Sequence, residues 1–330
     1  MKQFHEPMTT FAIISFVFIL IINAEVNGIT KRTERGLPEF AVVGKCPDHY
    51  ENEHCSCDIN EASLSVTINC NNIQNSVQLK NALEFKRNND RFDWFVLQNS
   101  TVTALPVQLF NNLSFMGFIM SYNNIEGITD DFFAGSEGSC EYIWMSDNKL
   151  KSGFNFKGLR NLKNLISVSV LATNLTTIQD DAFGNLQNLE TIVLERNRIS
   201  SLGENAFGNL PRLRRIDLSW NNLTRLVNGS FNTWQSKRPV AIEKNAFSNL
   251  KTYYVNMKYN SLTTLDQEVF EPLLNRMRAI RGSKLFVDGN PFICDKSINW
   301  LRKKPLEYRQ QVYGLKCIDQ DNLMKFASHN

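Results

Sequence analysis

From residue 115 to residue 236 apolar side chains recur in one pattern every 24 or 25 residues. Two successive units, LETIVLERNRISSLGENAFGNLPR (189–212) and LRRIDLSWNNLTRLVNGSFNTWQS (213–236), both read L-x-x-[IL]-x-L-x-x-N-x-[IL]-x-x-L-x-x-x-x-F. The alternation in L-x-L predicts a short strand that sends its leucines to one face and the intervening residues to the other. The Asn that follows carries an amide able to bond neighbouring backbone where the chain turns out of the strand, so stacked units predict an Asn ladder. The Phe ten residues later fills the core from the opposite side, because one unit cannot bury its apolar face alone. These features predict an α/β repeat solenoid with a curved parallel sheet on its concave face and an irregular or short helical convex side.

Run along the chain, the template places the Asn slot at Ser100, Asn123, Asn148, Thr173, Asn197, Asn221, Asn260 and Asn290. Its Phe slot falls on Phe110, Phe133, Phe183, Phe207, Phe231, Phe247 and Phe270, more matches than 23 Phe would give by chance. The spacing falls within the leucine-rich-repeat period of roughly 20 to 29 residues. One stretch departs from it: Phe231 and Phe247 are only 16 residues apart. Either a degenerate repeat or an omission in the gene model leaves a strand missing near 232–241, where TWQSKRPVA has Pro239 and no L-x-L. Both alternatives predict a disturbed parallel sheet there.

The ends define the remaining organisation. Residues 11–23, FAIISFVFILIIN, follow Lys2 and precede Ala24, the length of a secretory signal core and too short for a comfortable membrane span. A signal peptide over 1–24, cut after Ala24 or Gly28, is expected, followed by a linker over 25–45. An amino-terminal Cys cap with a first irregular unit spans 46–91, the repeats span 92–290, and a carboxyl cap and tail span 291–330. With no second apolar run, the mature chain is expected to be secreted and without a membrane span.

Seven Cys fit that compartment. Cys46, Cys55, Cys57 and Cys70 precede the repeats, and Cys294 and Cys317 bracket the segment after them. Exposed solenoid ends require caps, and the tight C-x-C favours disulfides over zinc. Four Cys allow three pairings, among which spacing does not choose. Cys140 falls in a Leu slot and reads as a small buried hydrophobe. Sequons at Asn99, Asn112, Asn174, Asn222 and Asn228 are candidate N-glycan acceptors.

Catalytic chemistry has little to rest on. The four His lie outside the repeats, and no phosphate-binding, dinucleotide-binding or metalloprotease motif is present. A non-enzymatic chain without cofactor or metal is expected. The net charge of +3 comes with interspersed acids and bases, which provides no basic stripe for nucleic acid. Attention therefore turns to the concave face, where Tyr122, Trp144, Arg196, Trp220 and Tyr259 fall on outward positions in separate units. Aromatics and Arg dominate interface hot spots, so these five are the expected contacts with a protein partner.

From the amino cap to about residue 320 the chain resembles the extracellular leucine-rich-repeat proteins. GNPFICDKSINWLRKKPLEYRQQVYGLKC looks like their cysteine-flanked carboxyl cap. The resemblance implies Cys46–Cys57 and Cys55–Cys70 bonds. Lys296 stands where the family has the second Cys of its C-x-C, and one downstream Cys is also absent. The expected remaining pair is Cys294 with Cys317, closing a loop that contributes about 3 kcal/mol. A narrower set of motifs joins C-x-C-x12-C, GFNFKGL (153–159) and EVFEPLL (268–274). It is similar to secreted arthropod proteins likened to the non-catalytic subunit of Oplophorus-luciferin 2-monooxygenase. That likeness implies an accessory chain bound to a catalytic subunit; the alternative is pattern recognition in innate immunity or adhesion to extracellular matrix.

Overall fold

The computed structural model describes residues 45–47, 50, 52–84, 91–106, 108–110, 113–150, 154–224, 226, 254–293 and 296–318, all within one unit, Gly44–Asn330. The expected signal peptide and linker, and the irregular segment at 232–241, lie outside the described residues.

The chain opens with an antiparallel hairpin, β1 (Cys55–Asn60) and β2 (Ser65–Asn71), followed by the short helix α1 (Ser76–Ala82). The strands β3 (Arg91–Ser100), β4 (Ser114–Asn123), β5 (Tyr142–Ser146) and β6 (Ser167–Leu171) come next. The chain continues through β7 (Thr177–Ile178), β8 (Thr191–Val193), β9 (Ser201–Leu202), β10 (Arg215–Asp217) and β11 (Tyr254–Asn256). Helix α2 (Gln267–Arg278) leads into β12 (Lys284–Phe286), and α3 (Lys296–Arg302), α4 (Leu306–Gln311) and β13 (Val312–Tyr313) close the described chain. Eleven strands form one sheet in the order β1-β2-β3-β4-β5-β6-β8-β10-β11-β12-β13. Every neighbouring pair after β1–β2 is parallel, as in-register stacking of repeats requires, while β7 and β9 pair separately. The fold is a leucine-rich-repeat solenoid.

Alternation along each strand places the core. Phe118 and Met120 on β4, Ile143 and Met145 on β5, and Val168 and Val170 on β6 are fully or almost fully buried. Behind them the Phe slots at 110, 133, 183, 207 and 270 are buried, and Phe231 and Phe247 lie outside the described residues. Where the template would put a Phe at 158, Gly158 stands instead, and Phe156 on a 3-10 turn (Phe156–Asn161) fills the gap. Its ring lies 4.7 Å from Phe183, which stacks on Phe207 at 5.7 Å. A Phe side chain at 158 would not fit, since a Cβ there already comes within 3.2 Å of the Asp130 backbone.

All eight slot residues of the ladder are buried. Asn197 accepts from the Thr173 and Leu175 amides at 2.9 and 3.2 Å and donates to the Val170 and Leu194 carbonyls at 2.7 and 3.1 Å. Asn123, Asn148, Asn221 and Asn290 repeat this pattern of accepting from one unit and donating to its carbonyls. The ladder also crosses the long unit, because Asn260 accepts from the Leu223 amide at 3.0 Å and donates to the Leu218 carbonyl at 2.9 Å.

The disturbance expected near 232–241 falls on residues outside the described ones. β10 pairs with β11 in register from Arg215↔Tyr254 to Asp217↔Asn256. The strands on either side of the irregular segment are thus direct neighbours; ladder and core contacts are short-range, and loop closure depends only weakly on loop length.

The amino edge is stapled by Cys46–Cys57 and by Cys55–Cys70, the second joining facing residues of β1 and β2. Cys317 is disulfide-bonded, and its expected partner Cys294 lies outside the described residues. Cys140 is a free thiol, fully buried, and burial pushes its pKa far above the ordinary thiol range. No helix among the described residues is long and apolar enough to cross a membrane.

Replacing Asn197 with Ala strands the Thr173 amide and the Val170 carbonyl away from water. The expected loss is about 2 to 4 kcal/mol of stability, read from the midpoint of urea unfolding at unchanged slope.

Candidate functional site

Each strand ends in the same turn. The residue before each ladder slot takes a left-handed conformation: Asn99, Tyr122, Asp147, Ala172, Arg196, Trp220 and Tyr259 have φ between 49 and 57°, and Gly289 has 76°. The turn swings the next side chain inward, where the slot Asn meets its backbone partners, and leaves the preceding side chain outside. Gly, Asn and Asp tolerate this region, whereas bulky side chains adopt it at a cost.

Strand register adds further rows on the open face of the sheet. Trp94, Gly117, Tyr142, Ser167, Thr191, Arg215, Tyr254 and Lys284 stand side by side. A second row runs Val96, Ile119, Trp144, Ser169, Val193, Asp217, Asn256, Phe286 and Tyr313. Aromatics thus occupy both ends of the face, with Ser167, Ser169, Thr191 and Val193 between them.

The five residues expected to meet a partner do not form one cluster. Arg196, Trp220 and Tyr259 are successive members of the left-handed row, and all three are exposed. Tyr122 stands in the same row with Asp147 and Ala172 between it and Arg196, while Trp144 sits half-buried in mid-sheet. Trp220 and Tyr259, separate by sequence, stack face to face with centroids 4.1 Å apart and planes 19° apart. They remain 49% and 45% exposed, so the stack belongs to the surface. Tyr259 also lies against Gly289, where an added Cβ would come 2.5 Å from its ring.

The carboxyl half of the face carries charges in pairs. Glu195 lies 3.4 Å from Arg196, Asp217 3.2 Å from Arg215, and Asp288 3.1 Å from Lys258. The buried Asp217 also accepts from the Ser219 amide and hydroxyl and from Asn256 Nδ2. Above them the Arg215 guanidinium covers Tyr254 at 4.9 Å, and the Lys258 ammonium lies 4.9 Å from Phe286 and 5.7 Å from Tyr313. Tyr254, Phe286 and Tyr313 form a file at 5.1 and 5.5 Å. Burial, with Asp217 adding, holds Glu195 above the usual carboxylate range against the opposing pull of Arg196 and Arg215. Burial and Asp217 likewise raise the Tyr254 phenol.

Sequence reasoning missed Trp94, Tyr142, Arg215, Tyr254 and Tyr313. The first four sit one strand position before the template's first inward residue, so extending the same alternation would have found them. Tyr313 belongs to the cap, which has no repeat to index it. At the amino end Trp94 lies over Gly117, where a Cβ would come 2.2 Å from its ring, and reaches Tyr142 at 5.8 Å. The sequon side chains Asn99, Asn174 and Asn222 are exposed, and Asn112 and Asn228 lie outside the described residues. Among the described residues, no group of three or more His, Cys, Asp or Glu is placed to hold a metal ion.

A family model for the leucine-rich repeat matches residues 163–223. Among solved structures, human 5T4 (Wnt-activated inhibitory factor 1, trophoblast glycoprotein) is similar at 19% identity and a TM-score of 0.53, covering 84% of this chain and 94% of that one. At that identity the likeness is one of fold. Among curated proteins none matches the sequence.

Gly289→Ala places a Cβ against the Tyr259 ring in a left-handed turn, and is expected to separate the ring from Trp220 and cost about 1 to 2 kcal/mol. Near-ultraviolet circular dichroism reads the loss of the stack. Because the folded pKa of Glu195 is raised, its favourable protonation is present below the usual carboxylate range and lost as pH rises through the folded value. Glu195→Gln is therefore expected to stabilise the protein at neutral pH, with the gain vanishing in acid, as unfolding midpoints across pH will show.

Proposed function

We propose that this chain of leucine-rich repeats is a secreted, non-catalytic binding module that holds an extracellular protein partner on the open face of its sheet. The Trp220–Tyr259 stack carries the reading. Two large aromatics occupy left-handed turns that favour small residues and remain half exposed, so neither the backbone nor the core accounts for them. Contact with another molecule does: such residues contribute most of the energy of protein interfaces, as Arg also does. Trp144 and Tyr122 extend the surface toward the amino end, and the amino-cap disulfides suit an oxidising compartment.

The finer role, an accessory subunit of an extracellular enzyme, rests on the short motifs around residues 153–159 and 268–274. The alternative is recognition of microbial or matrix material by the same face, favoured by the pairing of its charges among aromatic rings.

Affinity capture of the tagged protein from its native extracellular fluid is the test. Replacing both Trp144 and Trp220 with Ala is expected to weaken retention of the partner at least about tenfold, more than 1.4 kcal/mol, with secretion unchanged. Unaltered affinity would remove the face from the reading. A stoichiometric enzyme chain among the retained proteins would specify the accessory role.

A further inference from the structure

The geometry points to a neutral oligosaccharide as a ligand of the carboxyl half of the open face, an inference that rests on the reading of that face as the binding surface. Two aromatic files border this region. Tyr254, Phe286 and Tyr313 form one, and Trp220 with Tyr259 forms the other. Phe286 precedes the left-handed Gly289 by three positions, which separates the files by roughly 10 Å at 3.3 Å per residue. Lys258 and Asp288 lie between them, with the buried Ser219 hydroxyl donating to Asp217 beneath.

The polar strip is rich in hydrogen-bonding groups and poor in net charge. Lys258 is matched by Asp288, Arg215 by Asp217 and Arg196 by Glu195, and Lys284 at the rim donates to the Gln310 carbonyl. With each of the first three cations compensated within 3.4 Å, little field remains to draw a phosphate, sulfate or uronate, or a strongly charged peptide. Donor and acceptor capacity persists, because an ammonium has three protons and a carboxylate about four lone-pair sites. Strand amides across β10, β11 and β12 are spent on neighbouring strands, so the strip itself offers an extended peptide no ladder to join. A sugar ring meets both features at once: a C–H face lies flat on the exposed Trp220, Tyr259 or Tyr313 ring, while Arg215 and Lys258 sit over Tyr254 and Phe286, and its hydroxyls both donate and accept. Trp220 has Tyr259 on one face and is half exposed, and Tyr313 is 56% exposed. The strip crosses β10, β11 and β12, about 10 Å of sheet, which suits a short run of sugar units.

Calorimetric titration of the purified full chain with neutral gluco-, manno- and chito-oligosaccharides, alongside a heparin-derived oligosaccharide, tests the inference. At least one neutral series is expected to bind saturably, with affinity changing less than about twofold between roughly 0.05 and 0.5 M NaCl. Trp220→Ala should weaken that binding about tenfold or more, Tyr259→Phe should preserve it, and Ile59→Ser, remote on β1, serves as the control. Asp288→Asn leaves Lys258 uncompensated and is expected to introduce salt-sensitive binding of the heparin-derived chain. Absence of neutral-sugar binding, or binding that survives Trp220→Ala, overturns the inference. If a captured protein partner is still lost with the Trp144 and Trp220 substitutions in that case, the face binds protein and only the sugar assignment falls. If neither is lost, the reading of the face falls with it.

Discussion

The buried amide of the ladder asparagine is the interaction on which the rest of this protein depends. Where a chain leaves a parallel strand, its backbone N–H and C=O groups lose their sheet partners but remain away from water, and each unpaired group costs about 1 to 3 kcal/mol. One Asn side chain meets an amide of the preceding unit and a carbonyl on each side of it. Ser and Thr do part of this work: Ser100 Oγ accepts from the Ile73 amide, and Thr173 donates its own amide and hydroxyl to Asn197. Pointing that amide inward requires a left-handed residue just before it, so the ladder dictates an external row of side chains at the strand ends.

Register follows from the ladder and not from chain length. Asn260 reaches across a unit far longer than its neighbours and finds the same partners that Asn221 finds in an ordinary one. Closing a longer loop adds only about 0.6 kcal/mol for each doubling of its length, less than one ladder hydrogen bond lost. Accordingly β10 meets β11 directly, whatever the length of chain between them. This adjacency makes Trp220 and Tyr259 a stack.

That consequence marks the limit of what the sequence reveals. Strand positions, ladder slots and Phe slots were legible because each depends on local alternation and a fixed offset. Gly158 and Phe156 show how a slot can move by two residues without loss of packing, which periodicity does not anticipate. The Trp220–Tyr259 contact was illegible because 39 residues separate its members and the irregular unit suggested a broken sheet. The compensation of Lys258 by Asp288 was hidden for a related reason: it joins two strands whose adjacency, unlike the identity of their residues, is a property of the fold. Tyr313 comes from a cap that the repeat pattern does not reach.

The left-handed row offers a physical argument about selection. Its members divide into residues that suit the conformation, Asn99, Asp147 and Gly289, and residues that do not, among them Tyr122, Arg196, Trp220 and Tyr259. A non-glycine side chain there costs on the order of 1 to 2 kcal/mol, so four of them together approach a sizeable share of a typical net stability of 5 to 15 kcal/mol. Burial does not offset this, since all four are exposed. The Trp220–Tyr259 stack returns about 0.5 to 1.5 kcal/mol, and the Arg196–Glu195 pair returns less, since burial disfavours the Glu195 carboxylate. Asn at each position would relieve the strain and leave the ladder intact, so the bulky residues are not there for the fold. Their presence supports the proposal that the open face meets a partner.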